Sequence, residues 1–78
     1  MKLAELREMT EQDMATYKQW QNACRSAFPN CTFVGSTYQA QAVDWSSRNN
    51  EVAGDWDRGH GTVYKPGTMG KEVLQQIG

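Results

Sequence analysis

The spacing of apolar residues changes once along the chain, near Pro29, and this change constrains the fold more than any other feature. Before the proline, apolar residues recur at helical spacing and fall on one arc when placed at about 100° per residue. The members of this stripe are Met14, Tyr17, Trp20, Cys24, Ala27 and Phe28. From Cys31 onward, apolar and polar residues alternate, as they do on a β-strand with one buried face. The chain is therefore predicted to be an α+β domain in which one long N-terminal helix packs on an antiparallel sheet.

The helix is predicted to span residues 10–28. Thr10 followed by Asp13 resembles a capping box, in which an acidic side chain lies near the first unpaired amides. Leu3 and Leu6 project onto the same arc as the apolar stripe, so a helix that begins near residue 2 is the alternative.

The segment CTFVGSTYQA is predicted to form the first hairpin. Its alternation is interrupted at Gly35-Ser36, where glycine in the first turn position suits a type II′ turn. Counting across that turn sets Phe33 opposite Tyr38. One apolar face of the sheet would then carry Cys31, Phe33, Tyr38, Ala40 and Ala42.

The segment VDWSSRNNEVAGDWDRGHG is predicted to form a second hairpin around Asn49-Asn50, since asparagine tolerates the positive φ of a type I′ turn. The resulting register sets Asp44 opposite Asp55, a like-charge pair that destabilises a sheet. It places Val43, Trp45, Val52 and Trp56 on the apolar face, so that both tryptophans are expected to be buried. It places Asp44, Ser46, Arg48, Glu51, Ala53 and Asp55 on the opposite face.

Two further features complete the predicted sheet. The apolar positions shift from even to odd numbers near Ala42, and a β-bulge there would reconcile the two phases. A third turn at Gly59-His60 would pair Trp56 with Val63, and Lys65 followed by proline would end the fourth strand.

The C-terminal segment is predicted to be a short helix capped by Thr68, with Val73, Leu74 and Ile77 on its apolar side. The predicted fold is thus a single domain over residues 1–78. It comprises a long N-terminal helix on a four-stranded antiparallel β-meander, followed by a short C-terminal helix.

Charge and composition narrow the classes of function. The chain carries 8 basic and 9 acidic residues in 78, and this balance argues against a dedicated DNA-binding domain, which would show a basic excess. The first residues lack the apolar segment of a signal peptide, and no run reaches the roughly 20 apolar residues of a membrane span. A cytoplasmic protein with no membrane partner and reduced thiols is therefore expected.

Residues with catalytic or metal-binding chemistry are few. His60 is the single histidine and lies between glycines, which is typical of an exposed turn. Cys24 and Cys31 both fall on predicted apolar faces, where cysteine packs as a small core residue. The segment GTMGKE lacks the first glycine and the final Ser or Thr of a phosphate-binding loop. No catalytic, cofactor or metal site is predicted, and the chain is expected not to be an enzyme.

The acidic face of the second hairpin is the predicted binding site. Its charged residues, including those that flank the following turn, are Asp44, Arg48, Glu51, Asp55, Asp57 and Arg58. Such a face would attract and orient a protein, or a protein–nucleic acid complex, with a basic surface. The simpler interpretation is a solvated sheet face with no partner.

In overall type, the chain resembles the small anti-CRISPR proteins that bacteriophages use against host defence. The helix before residue 29, the meander that follows and the acids Asp44, Glu51, Asp55 and Asp57 carry this resemblance. The resemblance implies a protein that binds a CRISPR effector complex in the bacterial cytoplasm and blocks its access to DNA.

The sequence therefore predicts a non-enzymatic inhibitor that binds through its acidic hairpin face. The first alternative is a small virion structural or assembly protein. The second is a module that binds single-stranded nucleic acid by stacking bases on sheet aromatics, which the acidic character of the face disfavours.

Overall fold

A computed structural model describes residues 11–46 and 50–78 as one helix and one antiparallel sheet. The elements are α1 (Glu11–Ala27), β1 (Cys31–Gly35), β2 (Gln39–Asp44), β3 (Glu51–Asp57), β4 (His60–Tyr64) and β5 (Val73–Ile77). The five strands pair in chain order, β1-β2-β3-β4-β5, so that β1 and β5 are the two edges. The α+β class and the meander are confirmed, and the predicted number of four strands is wrong.

Helix α1 ends at Ala27, one residue before the predicted end at 28. The predicted cap at Thr10 and the alternative start that includes Leu3 and Leu6 lie outside the described residues. Two main-chain hydrogen bonds lie at the C-terminal end of α1. The Phe28 N–H donates to the Cys24 carbonyl at 2.7 Å, and the Cys31 N–H donates to the Phe28 carbonyl at 3.0 Å. These two bonds turn the chain from the helix directly into β1.

The core lies between α1 and one face of the sheet, as the apolar stripe predicts. Its buried members are Trp20, Cys24, Phe28, Ala40, Ala42, Ala53, Trp56, Val63 and Ile77. Trp20 packs against the rings of Trp56 and Phe33, with centroids 5.7 and 5.4 Å away. Met14 departs from the prediction, since its side chain is exposed.

The first hairpin keeps its predicted faces, but its turn lies later in the chain than predicted. Gly35 pairs with Ala40 and Phe33 pairs with Ala42, so the predicted pairing of Phe33 with Tyr38 is wrong. The turn lies two residues later than predicted, at Thr37-Tyr38, and is closed by the Ser36 N–H, which donates to the Gln39 carbonyl at 2.9 Å. The Ser36 hydroxyl accepts hydrogen bonds from the N–H groups of Tyr38 and Gln39 and stabilises this turn. Because the register differs by an even number of residues, the inward-facing set is unchanged.

The second hairpin does not turn at Asn49-Asn50 as predicted. Strand β2 ends at Asp44 and β3 begins at Glu51, and these two residues pair with each other. Asp44 therefore does not lie opposite Asp55, whose partner is Gln41. Trp45 lies beyond the end of β2 and is 53% exposed, so the prediction that both tryptophans are buried holds only for Trp56.

A β-bulge next to Ala42 is confirmed. Ala42 pairs with Gly54 while Val43 pairs with Val52, which leaves Ala53 as the additional residue in β3. Ala53 is fully buried in the core, although the predicted register placed it on the outer face. The extra residue changes which side chains of β3 face the helix on either side of the bulge.

The third turn lies one residue earlier than predicted. Arg58 and Gly59 have φ values of 45° and 90°, as in a type I′ turn, and Asp57 pairs with His60. Trp56 therefore pairs with Gly61 and not with Val63.

The C-terminal segment is a strand, so the predicted short helix is wrong. Thr68 does not cap a helix, because its hydroxyl donates to the Lys65 carbonyl at 2.7 Å inside a compact loop of residues 65–72. Met69 and Gly70 have φ values of 58° and 77°, which no right-handed helix accommodates. Strand β5 then pairs with β4 and buries Ile77 in the core.

Candidate functional site

The face of the sheet opposite α1 is the surface on which the predicted site must lie. Trp56 and Val63 face the helix, so their strand neighbours face away from it. The pairings place one row of residues across all five strands: Val34, Gln41, Asp55, Thr62 and Gln76. A second row comprises Gln39, Asp57 and His60. We call the surface formed by these two rows, together with Tyr64, the open face.

Asp55 lies at the centre of the open face. Its carboxylate accepts a hydrogen bond from the Tyr64 hydroxyl at 2.6 Å and one from the Gln41 side-chain amide at 3.2 Å. The bond from Tyr64 favours the protonated phenol and, with partial burial and the nearby negative charge, raises the pKa of Tyr64 to about 12. Strands β2, β3 and β4 are thus joined through one carboxylate.

Asp57 and Arg58 form the exposed tip of the β3–β4 hairpin. The Arg58 Nε donates to the Asp57 carboxylate at 3.1 Å, and the guanidinium lies 5.9 Å from the centre of the Tyr38 ring. The Arg58 N–H also donates to the Tyr38 carbonyl at 2.9 Å, which holds the hairpin tip beside the β1–β2 loop. Both charged side chains are exposed, so they are accessible to a partner.

Glu51 was predicted to belong to the binding face, but its carboxylate is buried against a neighbouring loop. Its side chain is only 8% exposed, and its carboxylate accepts hydrogen bonds from the N–H groups of Gly67 at 2.6 Å and Met69 at 3.0 Å. Consecutive turns with positive φ direct main-chain N–H groups inward and bind anions in this way. Glu51 therefore closes the loop of residues 65–72 and is not displayed on the open face.

Asp44 lies apart from the hairpin tip. Asp44 is half-buried at the end of β2, where its carboxylate accepts bonds from the main-chain N–H and the hydroxyl of Ser46. Arg48 lies outside the described residues. Of the six predicted residues, the structure brings together Asp55, Asp57 and Arg58.

Three uncharged neighbours of Asp55 on the open face were not included in the predicted site. Gln41, Thr62 and Tyr64 neighbour Asp55 across the strands, and a search limited to charged residues overlooks them. The alternation on either side of Trp56 and Val63 is the signal that identifies them once the register is known.

The two cysteines are arranged as core residues. Cys24 and Cys31 are both free thiols. Burial raises the pKa of the Cys24 thiol to about 12, and burial also raises the pKa of Cys31. Because the thiolate is the nucleophilic form, neither environment activates a cysteine.

Histidine and carboxylate groups are dispersed over the described residues. His60 is exposed at the start of β4, with its Nδ1 3.3 Å from the Gly78 carbonyl. Among residues 11–46 and 50–78, no three His, Cys, Asp or Glu side chains are placed to hold a metal ion together. In the same part of the chain, no helix is long and apolar enough to cross a membrane.

The aromatic side chains divide between core and surface. The Trp56 indole is buried and donates to the Thr37 carbonyl at 2.7 Å, so its ring is not available for stacking with a base. Trp45 is exposed, and the Tyr64 hydroxyl donates a hydrogen bond to Asp55.

Comparisons of this chain with protein-family models, with curated proteins and with solved structures found no match.

Proposed function

We propose that the chain is a non-enzymatic binding module that docks the β3–β4 hairpin on a basic protein surface. The observation that carries this proposal is the position of Asp55 and Asp57 on a sheet face that α1 does not cover, with Arg58 in the adjoining turn. An uncovered sheet face that bears charged side chains suits recognition of another macromolecule better than enclosure of a small substrate.

The charge of the hairpin supports a basic partner. Residues 51–64 contain three acids, Glu51, Asp55 and Asp57, against the single base Arg58, so their formal charge is −3 + 1 = −2. Glu51 is buried, which leaves Asp55 and Asp57 to present acidic oxygens on the open face. Such a surface accelerates encounter and orients a basic partner, and both effects weaken as salt rises.

The partner class we propose is a CRISPR effector complex, whose basic nucleic-acid channel the open face would occupy and close to DNA. This choice follows from the resemblance in size, fold class and acidic hairpin described above. The core position of Trp56 and the acidic hairpin support protein binding over direct binding of single strands.

The test is a DNA-binding assay with purified effector complexes of several CRISPR types, each loaded with guide RNA and mixed with its target duplex. Inhibition should require stoichiometric protein and should weaken as sodium chloride is raised. Asp57→Lys should reduce the affinity about tenfold, because it removes an acid and adds a base at the hairpin tip.

Glu72→Lys is the matched control, since it makes the same charge change on an exposed side chain of the 65–72 loop. If no effector complex is inhibited, the proposed partner class is wrong. If inhibition occurs and both variants weaken it equally, the effect is one of total charge, and the hairpin is not the docking site.

A further inference from the structure

The outer edge of β5 lacks the charged side chains that normally protect the edge strand of a sheet. Strand β5 has the sequence VLQQI and no charged residue, whereas exposed edges are normally guarded by charge or proline. Val73 and Leu74 are 51% and 50% exposed. Within the described residues, β4 is the only strand that pairs with β5.

Hydrogen-bond alternation identifies which main-chain groups point away from the sheet. A two-residue hairpin closes on a hydrogen-bonded pair, here Asp57 and His60. The main-chain groups of Gly61 and Val63 consequently point towards β5, where they meet Ile77 and Gln75. The N–H and C=O of Gln76, between them, point to the free edge.

We infer that this edge pairs with β5 of a second copy of the chain, antiparallel and about a two-fold axis at Gln76. An antiparallel pair centred on a residue with outward main-chain groups exchanges two N–H···O=C bonds between the two copies of that residue. Gln75 then faces Ile77 of the other copy, and the two Gln76 side chains lie opposite each other on the open face.

The Gln76 register also avoids the irregular part of β5. Val63 pairs with Gln75 and Tyr64 pairs with Val73, which leaves Leu74 as a bulged residue. A two-fold axis at Gln76 uses the regular residues 75–77 and needs no residue before the bulge to pair across the interface. The row of residues from Val34 to Gln76 becomes continuous over both copies.

The self-pairing is an inference about assembly and does not rest on the proposed docking of the β3–β4 hairpin. The paired segment is short, so the dimer should be weak and in rapid exchange with the monomer, as interfaces below about 1,200 Å² are.

The experiment is sedimentation velocity over a wide range of protein concentration, with Gln76→Lys and Gln76→Glu. The wild type should show a reversible monomer–dimer equilibrium. Each variant should raise the dimer dissociation constant about fivefold or more, because it places two like charges directly opposite each other. An equimolar mixture of the two variants should restore association, since lysine then lies opposite glutamate.

Gln39→Lys is the matched control, because it changes an exposed glutamine of the interior strand β2 in the same way and should leave the dimer unchanged. Circular dichroism of each variant checks that the fold is retained. Wild-type protein that stays monomeric at every concentration would overturn the inference and leave the edge free for a strand of another protein. Species that grow beyond the dimer would overturn it in favour of head-to-tail pairing of β5 with β1.

Discussion

The indole of Trp20 occupies the space that a β-carbon on Gly61 would need. A β-carbon built at position 61 would lie 2.6 Å from the Cγ of Trp20 and 2.9 Å from its Cβ. The indole is held in this place by its N–H, which donates to the Thr62 carbonyl at 2.9 Å. A large side chain of the helix therefore packs directly on a sheet residue that has no side chain.

We expect Gly61→Ala to lower the free energy of unfolding by about 3 kcal/mol, since overpacking a rigid aromatic contact forces the helix or strand to move. Urea denaturation measures this loss. Gly67→Ala is the control: nothing lies within 4 Å of a β-carbon there, and only its φ of +85° opposes alanine. That strain costs about 1 kcal/mol. A smaller loss for Gly61→Ala than for Gly67→Ala would contradict the close approach.

We expect Glu51→Ala to destabilise the protein by about 2–3 kcal/mol, because two main-chain N–H groups lose a charged acceptor. Amide hydrogen exchange should become faster at Gly67 and Met69, because their N–H groups donate hydrogen bonds to the Glu51 carboxylate. Glu51→Gln retains one acceptor oxygen and should have an intermediate effect. In contrast, Glu72→Ala removes an exposed carboxylate 3.9 Å from Lys65 and should change stability by less than about 0.5 kcal/mol. Equal effects at the two glutamates would refute the role assigned to Glu51.

We expect Tyr64 to ionise near pH 12, well above its ordinary pKa of 10.0, chiefly because its hydroxyl donates to Asp55. Absorbance of tyrosinate measures the titration, and Tyr64→Phe identifies the component that belongs to this residue. Asp55→Asn should move that component towards lower pH, whereas Asp57→Asn, on the same strand, should not. Since the folded-state pKa is the raised one, the stability from this bond is complete below pH 10 and is lost as pH rises through about 12. A Tyr64 component near pH 10 in the wild type would show that the bond is absent.

We expect one tryptophan of three to be readily quenched by acrylamide in the native protein. Trp45 is 53% exposed, whereas Trp20 and Trp56 are 0% and 1% exposed. Trp45→Phe should remove the quenchable component, and Trp56→Phe should leave it in place. A native state in which Trp45→Phe does not alter quenching would favour the register that turns at Asn49-Asn50.

Several parts of the fold follow from local sequence signals. The apolar stripe that includes Trp20 and Cys24 predicts the helix and the side that it buries, because helical periodicity depends only on residue spacing. The alternation in CTFVGSTYQA predicts which residues of β1 and β2 face the core. The phase change at Ala42 predicts the bulge, since no regular strand can place both even and odd positions inside.

The strand registers could not be derived in the same way. Two-residue turns at Gly35-Ser36, Asn49-Asn50 and Gly59-His60 are all locally reasonable, yet each of these three registers is wrong. The first turn lies at Thr37-Tyr38, where the Ser36 hydroxyl accepts two main-chain hydrogen bonds, and the β2–β3 connection spans residues 45–50. The third turn uses Arg58-Gly59, which aligns Gly61 with Trp56 and leaves room for Trp20. Of these outcomes, the third depends on a contact between residues distant in sequence, Trp20 and Gly61.

The candidate site shows the same division. Charge alone identifies Asp55, Asp57 and Arg58, which the structure places close together. It does not distinguish them from Glu51, whose carboxylate is buried against the loop of residues 65–72. The acceptor role of Glu51 requires the N–H groups of a loop that begins 14 residues later, which no local pattern reveals.

Residue spacing alone specifies an amphipathic helix before Pro29, a meander of strands with alternating apolar residues and a bulge near Ala42, because these features depend on periodicity. The assignment of residues 73–77 to a fifth strand depends instead on tertiary contacts. Val73, Leu74 and Ile77 have spacing that suits a short helix, but β4 presents an unpaired edge, and pairing with it satisfies that edge and buries Ile77. The hydrogen bonds and apolar burial offered by a neighbouring strand outweigh the weak helical preference of five residues.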